Sequence, residues 1–483
     1  MKLIFEKHKD GRRGFSYGEC DVPAAKPLAK KYCRVNPARL PCLSELDVVR
    51  HFTNLSRLNF SVDTNFYPLG SCTMKYNPKF TERIAALEGF AQLHPLLPQL
   101  SGGGILAQGS LEVLYESEKL LAEITGMSAF TLQPLAGAHG ELTGAMLIAA
   151  YHKDRGFRRK YVIVPDSSHG TNPSSAAIAG YEVKVIPTGP DGYMDLEQYK
   201  KHLNNEVAAV MLTCPDTLGI FNPRIKEITD LAHEAGALMY YDGANLNAML
   251  GKCRPGDIGF DVVHINLHKT FGTPHGGGGP GAGPVGVSKK LVEFLPISRV
   301  IRRNDATFAL DYNHPKSIGY IAPFYGNFGV ILKAYAYMLA LGKDGLIKAA
   351  EIAVLNANYC QARLKEYYDL PFDKTCMHEC VFSASRQAKN GVYALDIAKY
   401  LIDQGYHPPT IYFPLIIKEA LMIEPTETES KETLDAFIET MIKIAGLAKE
   451  NPSLVTQAPL NMPIKRLDEV RAARQPDLCW KQS

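Results

Sequence analysis

A long basic block is missing from this chain, and its formal net charge is only +3. Nucleic acid is therefore not an expected partner. Long apolar runs are missing too. The start, Met1 to Asp10, holds three apolar residues in a row before charge returns, and nothing later reaches membrane-spanning length. Neither a secretory signal nor a membrane span is expected. The ten cysteines are scattered without the spacing of a small disulfide framework, which fits reduced thiols in a cytoplasm. What remains is an ordinary globular composition, 46% hydrophobic and 21% charged, so disorder is not the default. At 483 residues the chain is long enough for two or three domains with substantial cores.

Three short motifs are incomplete, and each omission removes a function class. The small-residue turn Gly137-Ala-His-Gly140 opens a helix, as an anion cradle does, but no Gly-Lys-Ser/Thr closes it, so it is not the phosphate loop of a nucleotide hydrolase. Gly281-Ala-Gly-Pro-Val-Gly286 matches the dinucleotide pattern, but no strand runs directly into it and Pro284 spoils the helix start that a pyrophosphate needs. Cys376-Met-His-Glu-Cys380 has the look of a metal cluster, but no second ligand pair stands at finger-like spacing, and no metal is expected.

From Lys160 the chain alternates between short apolar runs and helical patterns. Tyr161–Val164, Glu182–Ile186, Val207–Leu212, Ala237–Tyr241 and Val262–Leu267 read as strands. Ser174–Ala179, Leu196–Leu203 and Ile225–Ala235 read as helices, preceded by helices over Ser110–Ile124 and Thr143–Tyr151. Such alternation implies a mostly parallel sheet covered on both faces, with functional groups at the carboxyl ends of the strands. Those ends carry polar clusters: Pro165 to Pro173, Thr213 to Thr217, Asp242-Gly-Ala-Asn245 and His268-Lys269. Beyond Tyr312, helices at Gly329–Leu341, Lys348–Tyr367, Ala394–Gln404 and Leu434–Ala448, with a strand at Glu379–Ser383, indicate a smaller α+β domain and an extended tail. The expected division is residues 1–90 as an N-terminal arm and loop, 91–325 as a large cofactor domain and 326–483 as the small domain. One amphipathic helix is expected in the arm, near Ser44 to Leu58.

Lys269 stands at a strand end, followed by a glycine- and proline-rich segment, residues 276–284, expected to be flexible and close-packed beside it. That setting suits a lysine that holds the aldehyde of a carbonyl cofactor such as pyridoxal phosphate. Such a cofactor makes three further demands. A carboxylate must face the ring nitrogen, and Asp242 at the end of the preceding strand is the candidate. An anion cradle must hold the phosphate, and Gly137, Ala138 and His139 are placed for it, with His268 as a further contributor; Thr213 and Ala244 are further cofactor-binding candidates. A flat group must lie over the ring, and His169 is the candidate. The loop Tyr67 to Lys75 is expected over the substrate side, with Ser71, Cys72 and Thr73 as neutral donors toward a substrate carboxylate; the competing reading makes that loop a subunit interface.

Three stretches carry a family resemblance. Asn65 to Pro78, Ser168-His-Gly-Thr-Asn-Pro173 and His268-Lys-Thr-Phe271 with Pro274 to Pro280 resemble glycine decarboxylase, the P-protein of the glycine cleavage system. The resemblance runs from about residue 60 to at least 430 and points to the second subunit of the two-subunit form, which keeps the cofactor lysine. It implies fold type I, the aspartate aminotransferase-like α/β fold with a mostly parallel seven-stranded sheet and a smaller C-terminal domain. It also implies pyridoxal phosphate, glycine as substrate, CO2 release, transfer of the aminomethyl group to the lipoyl arm of H-protein, and an α2β2 assembly with subunit 1. Leu246 stands where the family more often has Met. Another fold type I enzyme, such as an aminotransferase or cysteine desulfurase, and a non-catalytic scaffolding subunit are the alternatives. Against an aminotransferase, Leu421 to Glu429 offers no arginine for a carboxylate clamp.

Overall fold

The computed structural model describes residues 2–36, 38–100, 102–275 and 280–479. Seven strands form one sheet: β1 (Ala129–Thr131), β2 (Tyr161–Pro165), β3 (Glu182–Ile186), β4 (Val207–Thr213), β5 (Leu238–Gly243), β6 (Val262–Ile265) and β7 (Val285–Val287). Their spatial order is β1-β7-β6-β5-β4-β2-β3. Neighbours from β6 to β3 run parallel, and β7 runs antiparallel to both β6 and β1. The chain moves outward from β2 to β3, then returns to lay β4, β5 and β6 on the other side. That reversal places a crevice at the carboxyl ends of the strands beside β2 and β4.

The sheet is buried on both faces because its strands are apolar at successive positions, not alternate ones. Val210, Met239, Tyr241, Val263 and Ile265 pack with the helices Gln108–Thr125, Ile225–Glu234 and Phe328–Leu364. The intervening residues Ala209, Met211, Leu238, Tyr240 and Val262 pack with the helices Gly137–Asp154 and Thr171–Ile178 on the opposite face. Gly144 lets the first of these lie close: a Cβ there would stand 2.3 Å from Cε2 of Tyr240 and 3.0 Å from Cγ1 of Val262.

Several boundaries depart from the sequence reading, each for a local reason. The helix expected from Thr143 begins at Gly137, because the Gly140 N–H already bonds to the Ala136 carbonyl, at 2.9 Å. Strand β6 stops at Ile265 instead of Leu267; the Asn266 carbonyl accepts the N–H groups of Lys269 and Thr270 and winds Leu267–Thr270 into a single helical turn. The two helices read over Gly329–Leu341 and Lys348–Tyr367 meet at Gly342, whose φ of 59° breaks the helical path. The short strands β1 and β7 carry too little pattern to be recognised from three residues each.

The small domain has a three-stranded antiparallel sheet, Cys380–Ser383, Ala420–Ile423 and Thr410–Ile411, with Ala420–Ile423 in the centre. The helices Ala394–Asp403 and Lys431–Glu450 cover it, the second capped by Ser430, which accepts the Thr433 N–H at 3.2 Å. Beyond Asn451 the tail contains two short helices, Pro452–Thr456 and Glu469–Arg474, where an extended path was expected.

Compact units divide the chain at Thr64/Asn65, so the segment 65–90 stands with the body of the protein, whereas the sequence reading placed it with the arm. The cause lies in backbone pairing: Leu69 bridges to Ile423, the Glu424 N–H donates to the Pro68 carbonyl at 3.2 Å, and Phe66 is buried in the small-domain core. The first unit, residues 1–64, carries the expected helix as Glu45–Ser56, with Ser44 accepting the Asp47 N–H at 3.1 Å. Leu46, Val49, Phe52 and Leu55 on that helix are exposed.

Two glycine substitutions should move stability in opposite directions. Gly144→Ala drives a methyl into Tyr240 and should cost about 1–3 kcal/mol by overpacking. Gly446, inside the helix Lys431–Glu450, has nothing within 4 Å of an added Cβ, so Gly446→Ala should gain about 0.5–1 kcal/mol from helix propensity. Urea unfolding midpoints check both signs.

Candidate functional site

A cavity of about 410 Å³ opens at the carboxyl ends of β2, β4, β5 and β6. His169 follows β2, Thr213 ends β4, Asp242 and Ala244 come from the end of β5, and His268 and Lys269 sit on the helical turn after β6; all line it. Gly137 and Ala138 line it from the first turn of the helix Gly137–Asp154, where backbone N–H groups have no acceptor within the helix. The loop before the large domain adds Gly70, Ser71 and Cys72, and the small domain adds His378, Glu379 and Phe413.

Asp242 is 3% exposed yet richly partnered. Its Oδ2 accepts from Asn172 Nδ2 at 2.8 Å and from the Thr213 hydroxyl at 3.2 Å; its Oδ1 accepts the Ala244 N–H at 3.1 Å. Burial works against its charge, but the His264 ring, the hydrogen bonds from Asn172 and Ala244, and Lys269 outweigh it and hold the carboxyl below its usual range. His264 stands 3.3 Å from Asp242 Oδ1, with its other nitrogen 2.7 Å from the Tyr240 hydroxyl; burial pushes it down to about 4, so the ring is neutral near pH 7. Glu141 completes this cluster. Burial and the Asp242 charge push it up to about 8, which leaves it protonated near pH 7. Of these two carboxyls, Asp242 carries the charge.

His169 is an exposed, flat group beside the cavity, its Nδ1 2.7 Å from the Thr171 hydroxyl, with burial of its ring holding it below its usual range. His268 Nδ1 accepts the Ala282 N–H at 3.2 Å and the ring is pushed down to about 4 by burial and by Lys269. Cys72 Sγ lies 3.0 Å from His275 Nε2, and burial raises the thiol.

Two expected residues are not brought to the cavity. His139 does not line it; its Nδ1 accepts the Leu135 N–H at 3.3 Å, and the helix start leaves Gly137 and Ala138 facing the space instead. Thr73 is buried away from it. Its hydroxyl donates to Glu424 Oε1 and accepts from Asn245 Nδ2 at 2.5 Å and Asn247 Nδ2 at 3.0 Å, so it is fully engaged in joining the loop to the small domain. Ser71, at φ 63°, lines the cavity and gives its N–H to Glu379 Oε2 at 2.7 Å. Leu246 is buried, and its N–H donates to the Thr270 hydroxyl at 2.9 Å, a role any apolar side chain permits.

Sequence reading missed Glu141, Asn266, Glu379 and His378. Glu141 directly follows the turn marked as an anion cradle. His378 and Glu379 stood inside the cysteine-flanked motif, which the structure divides: Cys376 and Cys380 are buried in the small-domain core, while His378 and Glu379 line the cavity. The segment after Lys269 packs closely where it is described. A Cβ on Gly283 would stand 2.2 Å from the Ala136 carbonyl oxygen, and one on Gly281 would stand 3.0 Å from the His268 ring; residues 276–279 lie outside the described residues.

The cavity fits pyridoxal phosphate on its own chemistry. Its size is that of a cofactor pocket; Lys269, the ionised Asp242 and a helix N-terminus converge on it. At the cradle, a Cβ on Gly137 would stand 2.7 Å from Asn266 Nδ2, so only glycine fits there. The buried Asn266 Oδ1 has no partner and is free to receive a donor from a ligand.

Residues 23–307 match the family described as "Glycine cleavage system P-protein", and residues 349–460 match "Glycine dehydrogenase, C-terminal domain". The chain is 58% identical over 482 residues to "Probable glycine dehydrogenase (decarboxylating) subunit 2" of Caldanaerobacter subterraneus subsp. tengcongensis, covering 99% of this chain and 98% of that one. It is 55% identical over 485 residues to the protein of the same name from Bacillus velezensis, covering 100% and 98%. Among solved structures, an inhibitor-bound glycine decarboxylase (P-protein) of the glycine cleavage system superposes with a TM-score of 0.71 at 22% identity, over 86% of this chain and 93% of that one. A cysteine desulfurase from Thermococcus onnurineus NA1 superposes at 0.61 and 16% identity, over 79% and 95%. These likenesses establish the fold as the pyridoxal phosphate-dependent fold type I. The chain belongs to the P-protein family of the glycine cleavage system and aligns along its whole length with subunit 2 of the two-subunit form.

Proposed function

We propose that this chain is the decarboxylating subunit of a glycine cleavage system, releasing CO2 from glycine and passing the aminomethyl group to the lipoyl disulfide of an H-protein. The observation that carries the reading is the convergence of Lys269 and the ionised Asp242, from adjacent strand ends, on one cavity beside a helix N-terminus. Pyridoxal phosphate, the cofactor, supplies an electron sink for the pair left when the bond to the carboxylate breaks. The chain's own contribution is placement. Lys269 offers its amine to the aldehyde, Gly137 and Ala138 offer backbone N–H groups to the phosphate, and His169 offers a flat face to the ring. Asp242 keeps a proton on the ring nitrogen by charge, with Glu141 and His264 neutral beside it so that no second charge competes.

The substrate carboxylate meets no arginine among the described residues that line the cavity. A tight ionic clamp would stabilise the group that must leave, so neutral donors suit decarboxylation better. Ser71 is the candidate donor, and Cys72 stands beside it. The absence of the clamp and the full-length match to decarboxylating subunits favour this reading over an aminotransferase or desulfurase. Retention of Lys269 and Asp242 together argues against a non-catalytic scaffold. Assembly with subunit 1 as an α2β2 tetramer, docking of the H-protein and a cytoplasmic setting complete the proposal. The exposed apolar residues Leu46, Val49, Phe52 and Leu55 supply a surface that a partner subunit would cover.

Two experiments test the assignments. Lys269→Ala should fold normally but lose both the cofactor's visible absorption and the exchange of labelled bicarbonate carbon into glycine, assayed with subunit 1 and lipoylated H-protein. Near-normal exchange in a folded variant would contradict the lysine's role. Ser71→Ala and Thr73→Val should separate: the first raises the apparent KM for glycine with little change in stability. The second leaves the buried Glu424 carboxyl and two amides short of a partner and should lower stability by about 1–3 kcal/mol, read by urea unfolding.

A further inference from the structure

Three buried titratable groups stand on the small-domain side of the cavity and have no part in holding the cofactor. His378, Glu379 and Glu424 are 3%, 3% and 1% exposed, and one ligand atom of each lies within 4.8 Å of the others. Glu379 and His378 line the cavity; Glu424 stands behind them. Glu379 Oε2 accepts the Ser71 N–H at 2.7 Å and lies 3.8 Å from His378 Nε2. Glu424 Oε1 accepts from Thr73, from Asn245 at 2.9 Å and from Asn247 at 3.0 Å, while its Oε2 has no partner. The charged groups that face this pair are Lys269, which acts on both carboxyls, and Asp216, which acts on Glu379. His378 brings no charge, because burial pushes it down to about 3. Two buried carboxyls this close do not both ionise. Burial raises both, Glu424 to about 7 and Glu379 well above its usual range, with the Glu424 charge adding to the rise at Glu379.

We infer that Glu379 and Glu424 share a single proton, and that Glu379 takes the proton glycine's ammonium gives up and returns it to the sulfur released when the lipoyl disulfide opens. The inference rests on the function proposed above. Its bookkeeping closes. Glycine arrives with an ammonium group; one N–H bond breaks, the electron pair stays on nitrogen, and the proton neutralises the ionised member of the pair. CO2 departs, and the pair from the broken carbon–carbon bond forms the bond from the aminomethyl carbon to one lipoyl sulfur. The S–S bond breaks toward the second sulfur, which takes the proton from Glu379 and becomes a thiol. Two electrons leave the substrate and reduce the disulfide, and one proton enters the pair and leaves it. Glu379 is the acid–base group, and Glu424 positions the shared proton.

The other candidates around the cavity are already occupied. Asp242 is held ionised, Glu141 is protonated beside it, His268 is pushed down to about 4, and His275 faces Cys72. Asp216, pushed up to about 7 by burial, is tied to its own turn, its Oδ1 accepting the Leu218 and Ile220 N–H groups at 2.9 and 3.1 Å. A carboxyl pair whose proton affinity lies near the working pH both takes and gives a proton readily, a requirement of acid–base catalysis.

The test uses two readouts. Infrared difference spectra of the full chain without cofactor should show a protonated-carboxyl component beyond that of Glu141 which both Glu379→Gln and Glu424→Gln shift, since either change removes the partner with which the proton is shared. In the complete system with subunit 1 and lipoylated H-protein, Glu379→Gln should slow turnover by about 10²-fold or more, with the cofactor absorption intact and Glu379→Asp recovering part of the rate. Glu424→Gln should shift the limb of the pH–rate profile that lies near pH 7 in the wild type. Wild-type turnover and pH profile in Glu379→Gln, or a carboxyl band indifferent to both substitutions, would overturn the inference. Glu424 does not line the cavity, so its variant keeps the test decisive should Glu379→Gln fail to fold. Wild-type protein that exchanges no carbon with bicarbonate would instead overturn the function proposed above, and the inference with it; the infrared band remains as the separate measure of the shared proton.

Discussion

A carboxylate buried at the end of a fully apolar strand costs several kcal/mol unless it is compensated. At Asp242 the compensation comes from every direction: an amide and a hydroxyl on one oxygen, a backbone N–H on the other, and an imidazole alongside. Each of these groups belongs to a different segment. Asn172 comes from the helix after β2, Thr213 from the end of β4, Ala244 from the turn after β5 and His264 from within β6. Keeping one charge in place thus fixes the register of three neighbouring strand ends and the helix above them. Glu141 and His264 are neutral near pH 7 in the same cluster, so the charge stays localised where a ring nitrogen would meet it.

A second polar knot ties the two halves of the body together. Thr73, Asn245 and Asn247 converge on Glu424, while Lys75 pairs with Glu427 at 2.7 Å and also donates to the Thr270 carbonyl. The loop before the large domain, the turn after β5, the turn bearing Lys269 and the small-domain strand are thereby coupled. Removing one partner of such a network costs more than its average bond is worth, because the others are left buried and unpaired. The cavity's small-domain side is built by this knot, and Glu379 and Glu424 lie where the knot meets the cavity.

Much of this was legible in the sequence. The five long parallel strands were readable because apolar runs of four to seven residues alternate with amphipathic helices, and the place of the cavity was readable because four of those strands end in polar clusters. Lys269, Asp242, His169, Thr213 and Ala244 all line the cavity. The small domain's acids were not readable, since a buried carboxyl looks like any surface glutamate until its neighbours are placed. Glu379 was further hidden between two cysteines that suggested metal and turned out to be core. Thr73 was misplaced because neighbouring side chains in an irregular loop share no period, so its direction is decided by Glu424, 351 residues away. His139 was misplaced because the helix begins earlier than Thr143 and turns the first residues, not the third, toward the space.

The central claim is that Asp242 is ionised in the folded protein and holds a proton on the ring nitrogen of the cofactor. Nitrogen-15 NMR of the chain loaded with ring-labelled pyridoxal phosphate measures that proton directly. A protonated shift throughout the neutral range, replaced by an unprotonated shift in Asp242→Asn, is the predicted result. An unprotonated ring nitrogen in the wild type, or a protonated one that survives the substitution, would contradict the account.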